Sequence, residues 1–223
     1  MEWLNYFAGI DWLDIGQATL DTLMMLGASL VFTIVLGLPL GVLLFVFGPR
    51  QLFAHKGLYA ALAFLVNVLR SLPFIILLIV LIPTTMLLVG TSLGVMGAIP
   101  PLVIGTTPFF ARLVETALRE VDRGIIEATQ AMGATTGQII MRALLPEALP
   151  GIIAAVTVTA ITLVSYTAMA GVVGAGGLGD LAIRFGYQRF QDNVMYVTVI
   201  ILVVMVQVLQ SIGDKLVVHF SRK

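Results

Sequence analysis

Between Thr22 and Phe47 the chain runs for 26 residues without a charged side chain. A helix needs roughly 20 apolar residues to cross about 30 Å of hydrocarbon, so this run alone is long enough to span a bilayer. The rest of the chain has the same character. Of 223 residues, 59% are hydrophobic and 11% charged, where soluble domains carry about 25% charged residues. The mean hydropathy is +1.06. So few charges cannot cover a globular surface, and membrane lipid is the natural solvent. The net charge of zero gives no sign of a nucleic-acid partner. Cysteine is absent, which excludes disulfides and thiolate metal sites, and no metal site is expected. The N-terminus, Met1-Glu2-Trp3, is acidic ahead of the first apolar run. A cleavable signal starts basic, so that run reads as a retained span.

Further apolar segments follow. Leu58 to Val89 is apolar except for Asn67, Arg70 and Ser71. As one straight helix its 32 residues would reach about 48 Å, too long for a single crossing. We read 72–89 as the second span and 58–69 as its lead-in. The third span, 92–110, contains Pro100, Pro101 and Pro108, which predicts a kink or local break. Just beyond it, Arg112, Glu115 and Arg119 are spaced three and four apart, as on a solvated helix face. Spans four and five are 152–173 and 194–212. The expected fold is all-α: one polytopic bundle of five transmembrane helices over 1–223, with the termini on opposite sides.

Basic residues orient the bundle. Arg50, Lys56, Arg112, Arg119, Arg123, Arg142, Lys215, Arg222 and Lys223, nine of the twelve, fall on one side. The other side receives Arg184, Arg189 and the acidic N-terminus. The positive-inside rule then places the N-terminus outside and the C-terminus in the cytoplasm. Trp3, Tyr6 and Trp12 would form an aromatic anchor at the outer interface. Arg70 lies near a membrane boundary, either bonding carbonyls freed by Pro73 or snorkelling to the inner interface.

The stretch "GVVGAGGLGD" places Gly174, Gly176 and Gly179 as G-x-G-x-x-G, with Gly177 between. A dinucleotide site needs a strand before this pattern and a soluble helix after it. Here a membrane span precedes it and another follows after Leu181 to Asn193. We read these glycines as a tight re-entrant or capping loop at the outer mouth of a pathway.

The segment "IIEATQAMGATTGQIIMRALLPEALPG", Ile125 to Gly151, is too polar to cross a membrane and too short for a domain. It reads as helix-turn-helix. Gly133 suits a C′ position with positive φ, and Thr135-x-x-Gln138 has the form of a capping box. The result is a knob whose apolar side (Ile125, Ile126, Ala128, Met132) has no core of its own. It needs either a partner or its own spans to pack against.

Glu127-Ala128-Thr129, Gly133 and Ala143-Leu144-Leu145-Pro146 resemble the EAA loop of ABC-importer permeases, written E-A-A-x₃-G-x₉-I-x-L-P. Thr129 stands at the third letter and Ala143 at the isoleucine. "NVLRSLPFIILLIVLIP", "MGATTGQIIMRALLPEALPG" and "VGAGGLGDL" resemble the methionine-importing branch of that family. The resemblance implies a multi-pass, non-catalytic permease subunit of the bacterial cytoplasmic (inner) membrane. It implies a second copy of this chain, two ABC ATPase subunits and an extracytoplasmic substrate-binding (lipo)protein as partners, with methionine as cargo. Glu127, Ala128, Thr129, Met132, Gly133, Leu145 and Pro146 would belong to a cytoplasmic ATPase-coupling loop over about 123–146.

Other chemistry is missing from the chain. None of its three lysines, Lys56, Lys215 and Lys223, follows G-x-x-x-x-G, so no P-loop is present. No cofactor is expected on this chain, and ATP and Mg would sit on the partner ATPase. Both histidines, His55 and His219, fall in segments expected in the cytoplasm, which leaves no intramembrane Ser-His pair. No acidic residue falls in the core of an expected span, which disfavours proton-coupled carriage. In span four, Thr159, Thr162, Ser165, Tyr166 and Met169 recur at helical offsets. They either line a translocation path or mediate helix packing. The alternatives are an ABC permease for another small solute, and an ATP-independent channel or secondary carrier. Cysteine introduced at Thr135 is expected to react with an impermeant maleimide only in inverted vesicles. Cysteine at Gln188 is expected to react only in intact cells. The opposite labelling would reverse the topology.

Overall fold

A computed structural model describes residues 10–49, 51 and 53–221. Trp3 and Tyr6 of the expected aromatic anchor lie outside the described residues, as do Arg50, Arg222 and Lys223; Trp12 is exposed. The described chain is helical, with no strand among the described residues. Its elements are α1 (Trp12–Phe47), α2 (Lys56–Ser71), α3 (Phe74–Val80), α4 (Ile82–Val89), α5 (Gly94–Arg119), α6 (Arg123–Ala131), α7 (Thr136–Ile139), α8 (Leu145–Glu147), α9 (Leu149–Gly171), α10 (Gly177–Leu181) and α11 (Asp192–Ser221). Wide π-helical turns occupy Ile140–Leu144 and Ala182–Tyr187. The fold is an all-α membrane bundle with several apolar spans. By length and hydropathy, α1, α5, α9 and α11 can each cross a bilayer, and α2 with α3 is a fifth candidate if that bent pair counts as one span.

Proline explains where the second apolar run divides. Leu72 precedes Pro73, and a residue before proline is driven out of the α region; α2 ends there and α3 begins. Ten residues on, Pro83 cannot donate to the Ile79 carbonyl, and α3 gives way to α4 at Leu81. The 72–89 segment therefore contains two short helices. The prolines of α5 act differently. Pro100, Pro101 and Pro108 lie inside one uninterrupted helix, so of the kink or break expected there, the break does not occur. Each removes one intrahelical donor, and the flanking bonds hold the turn.

One compact unit comprises Met1–Phe32, Leu72–Gly105 and Ala160–Leu209. Its larger core joins Met25, Leu26, Phe74, Leu78, Leu102, Leu163 and Ala170. Phe74 stacks on Tyr166 with ring centroids 4.2 Å apart, a contact that adds to simple area burial. A second cluster gathers Ile15, Ala18, Leu178, Leu181 and Val197. The glycine stretch belongs to this unit. Helix α9 precedes it, and the chain reverses through Gly174, Gly176 and Gly177, all at positive φ. The Gly174 carbonyl accepts the Gly94 N–H at 2.9 Å, and the Thr22 hydroxyl accepts the Leu178 N–H at 2.9 Å. Helix α10 folds back so tightly that a Cβ on Gly179 would overlap the backbone of Ala168. The G-x-G-x-x-G pattern here is a helix-packing device.

The other unit comprises Thr33–Ser71, Thr106–Thr159 and Gln210–Lys223. Its core is built from Phe45, Phe110, Val114, Leu118, Ile139, Leu144 and Ile152. Lipid supplies no hydrophobic drive between helices, so close approach and buried hydrogen bonds hold them. Gly37 and Gly41 face Phe110 and Val114 with no room for a side chain. The hydroxyls of Thr33 and Thr106, both fully buried, bond each other at 2.7 Å.

Gly179→Val has rigid backbone in its way and is expected to cost about 3 kcal/mol or more. Gly16→Ala, with open space around it, is expected to hold or gain up to about 1 kcal/mol. Thermal unfolding of the two detergent-solubilised variants checks both.

Candidate functional site

The segment over 123–146 begins with a cap. The Asp122 carboxylate accepts the Gly124 N–H at 2.7 Å and starts α6. Inside the helix the Thr129 hydroxyl donates to the Ile125 and Ile126 carbonyls. The helix ends on a Schellman motif. The Gly133 N–H bonds the Gln130 carbonyl at 2.9 Å, and the Ala134 N–H bonds that of Thr129 at 3.2 Å. The motif needs a left-handed residue between them, and Gly133 supplies it at φ 77°. Two residues later a capping box opens α7: the Thr135 N–H donates to Gln138 Oε1 at 2.8 Å, and the Gln138 N–H donates to Thr135 Oγ1 at 3.4 Å.

The chain then widens into the π-helical turn Ile140–Leu144, with the Leu145 N–H on the Ile140 carbonyl. Pro146 explains the widening. It has no N–H for the Arg142 carbonyl, and its ring would collide with that carbonyl in a regular α-turn.

The knob has two faces. Ile139 and Leu144 are fully buried, and Ile125, Ile126 and Leu145 pack beside them on the core of their unit. Glu127, Ala128, Gly133 and Pro146 are exposed, as is Met132, at 78% of its surface. The expected apolar side therefore divides. Its isoleucines turn inward onto the chain's own spans, so the knob does share a core, while Ala128 and Met132 point out. Helical phase accounts for Ala128, since residues 125, 126 and 129 lie on one side of the turn and 127 and 128 on the other; Met132 stands at the C-cap, where the chain leaves the helix.

In the same unit the expected solvated face holds for Arg119, which is exposed, and not for Glu115, which is buried. Glu115 has only 4% of its side chain exposed and is held between Arg112 at 2.6 Å and Arg119 at 2.7 Å. Tyr59 Oη donates to Glu115 at 3.4 Å, and Arg112 reaches Asn67 Oδ1 at 3.0 Å. The spacing of three and four residues was legible in the sequence, but the burial of Glu115 depends on α2, which the sequence does not place. This cluster ties α2 to α5. Arg70 extends over the Phe109 ring at 5.9 Å. His55, exposed, accepts the Leu58 N–H on Nδ1 and caps α2.

The hydroxyl stripe of span four does not present one uniform surface. Thr159 is fully buried and donates to the Ala155 carbonyl at 2.7 Å. Thr162 is half-buried, and Tyr166 is committed to Phe74. Ser165 and Met169 are exposed and line an apolar groove with α11. Among the described residues no group of three His, Asp or Glu side chains converges as metal ligands.

Several apolar spans and a compact helical knob with an outward face define a class of protein: a multi-span membrane protein with a helical knob between two of its spans. The model of the binding-protein-dependent transport system inner membrane component matches residues 37–223, and the chain belongs to that family. It is 52% identical over 200 residues to the probable D-methionine transport system permease protein MetI of Vibrio cholerae serotype O1, covering 90% of this chain and 89% of that one. It is 47% identical to the methionine import system permease protein MetP of Bacillus subtilis, over 94% and 95% of the two chains. A solved inward-facing conformation of the MetNI methionine ABC transporter superposes with a TM-score of 0.92 at 48% identity, over 93% of this chain and 96% of that chain.

Removing the Glu115 carboxylate would leave two neighbouring arginines without their shared partner. Both reach water in part, so Glu115→Ala is expected to cost on the order of 2 kcal/mol, below the range for fully buried pairs. Thermal unfolding in detergent measures it. An Arg119→Ala change, at the more exposed end, is expected to cost less than half as much.

Proposed function

We propose that this chain is the permease subunit of an ATP-driven methionine importer. The observation that carries the reading is the alignment with named methionine permeases over nine-tenths of the chain. It is supported by a capped, outward-facing knob at the place of the EAA motif. In this reading two copies of the chain form the membrane pathway, each with five spans. Two partner ATPases bind ATP and Mg on the cytoplasmic side, and an extracytoplasmic binding protein delivers cargo from outside. The N-terminus is outside and the C-terminus in the cytoplasm. The chain itself catalyses nothing and carries no cofactor.

The knob transmits the work. Glu127, Ala128, Thr129, Met132 and Gly133 form a short helix end whose exposed side enters a groove of the ATPase. Its inner side, with Ile139 and Leu144, is packed into the helices it must move. Closure of the ATPases displaces the knob as a rigid body, because the Schellman motif, capping box and shared core leave it little internal freedom. Leu145 and Pro146 carry the displacement into α9. Thr159, Thr162, Ser165, Tyr166 and Met169 belong to the helix that then moves, and the exposed members line the path.

The assembled transporter in proteoliposomes tests this. Methionine uptake is expected to require both the binding protein and ATP. Glu127→Lys and Gly133→Val are each expected to lower methionine-stimulated ATP hydrolysis about tenfold or more, equivalent to ~1.4 kcal/mol of lost coupling. Membrane insertion of either variant should be unchanged. Uphill uptake by this chain alone would replace the reading with that of a secondary carrier.

A further inference from the structure

The groove between α9 and α11 holds a combination that lipid does not suit. It measures about 580 Å³ and is walled by Val164, Ala168, Val172, Leu202, Val203 and Val206. That volume lies in the ~300–1,000 Å³ range of small-molecule sites. Among the described residues its only polar side chains are Ser165 and Gln207, both exposed. Residues 165, 168 and 169 recur at helical offsets on α9, with Val172 just past its end, and 203, 206 and 207 do so on α11, so each helix gives one face. Gln207 is the one polar side chain between Val199 and Leu209. An amide facing hydrocarbon has no partner for its N–H or C=O groups, so the groove is unsuited to lipid tails. It suits an occupant with one polar end and one apolar body.

We propose that this groove is a passing site for the cargo. The valines, Ala168 and Met169 take an unbranched, thioether-bearing side chain, and the Met169 sulfur adds a soft, polarisable contact. The Ser165 hydroxyl and the Gln207 amide hydrogen-bond the amino-acid head group. No charged side chain lines the groove, so the zwitterion is held weakly and released. The inference rests on the methionine reading above and adds Gln207, a residue that the hydroxyl stripe of span four did not include.

The chain has no cysteine, which makes accessibility mapping clean. Ser165→Cys, Gln207→Cys and a control, Ile200→Cys, exposed on α11 but outside the groove, are each placed in the assembled transporter in vesicles. They are then treated with a water-soluble methanethiosulfonate during turnover. Cysteines at 165 and 207 are expected to react, and to react about fivefold more slowly with methionine at roughly four times its Kd; the control is expected not to react. Lack of reaction at both positions would make the groove lipid-facing. Cross-linking of two copies through these positions without methionine protection would make it a subunit interface. Either result overturns the proposal. Uptake measured in the same vesicles separates the two readings. Methionine import without protection removes the groove alone. Protection by a different imported amino acid removes methionine alone and leaves the groove.

Discussion

Hydrocarbon offers the backbone no hydrogen bonds, and every choice in this chain follows from that. Each peptide group inside the bilayer must be satisfied within the protein, which restricts spanning segments to helices. The same solvent removes the hydrophobic drive for one apolar helix to find another. What remains is contact. Gly37 and Gly41 let α1 meet Phe110 and Val114, the Thr33–Thr106 pair bonds inside, and Gly179 lets α10 fold onto Ala168. Glycine and threonine positions therefore specify the fold as much as the leucines do.

Where the chain leaves hydrocarbon, backbone groups need other partners, and the segment over 123–146 provides them locally. Asp122, Gly133, Thr135 and Gln138 satisfy the helix ends without help from elsewhere. Such a knob holds its shape without depending on a partner, while its isoleucines fasten it to the spans. Its caps and turn bonds limit the knob's internal freedom, and its outward face stays exposed. Buried Glu115, held by Arg112 and Arg119, ties α2 to α5.

The sequence by itself determined the solvent, the all-α class and the local punctuation. Charge-free runs are readable one residue at a time, and so are Gly133 and the Thr135–Gln138 box, because their physics is confined to a few neighbouring residues. Pro73 marked a boundary for the same reason. The prolines of α5 show the limit. A missing donor predicts a break, yet surrounding turns and packing kept that helix whole.

Only the tertiary structure decided which faces are hidden. Glu115 looked solvated until α2 covered it, and Ala128 parted from Ile125 and Ile126 once helical phase met a real core. The span-four hydroxyls sorted themselves into buried Thr159, stacked Tyr166 and open Ser165. Gln207 joined Ser165 across 42 residues of chain, which no local pattern encodes. Periodicity gives the spacing of side chains around a helix axis, but the neighbour that each side chain meets is set by long-range contacts.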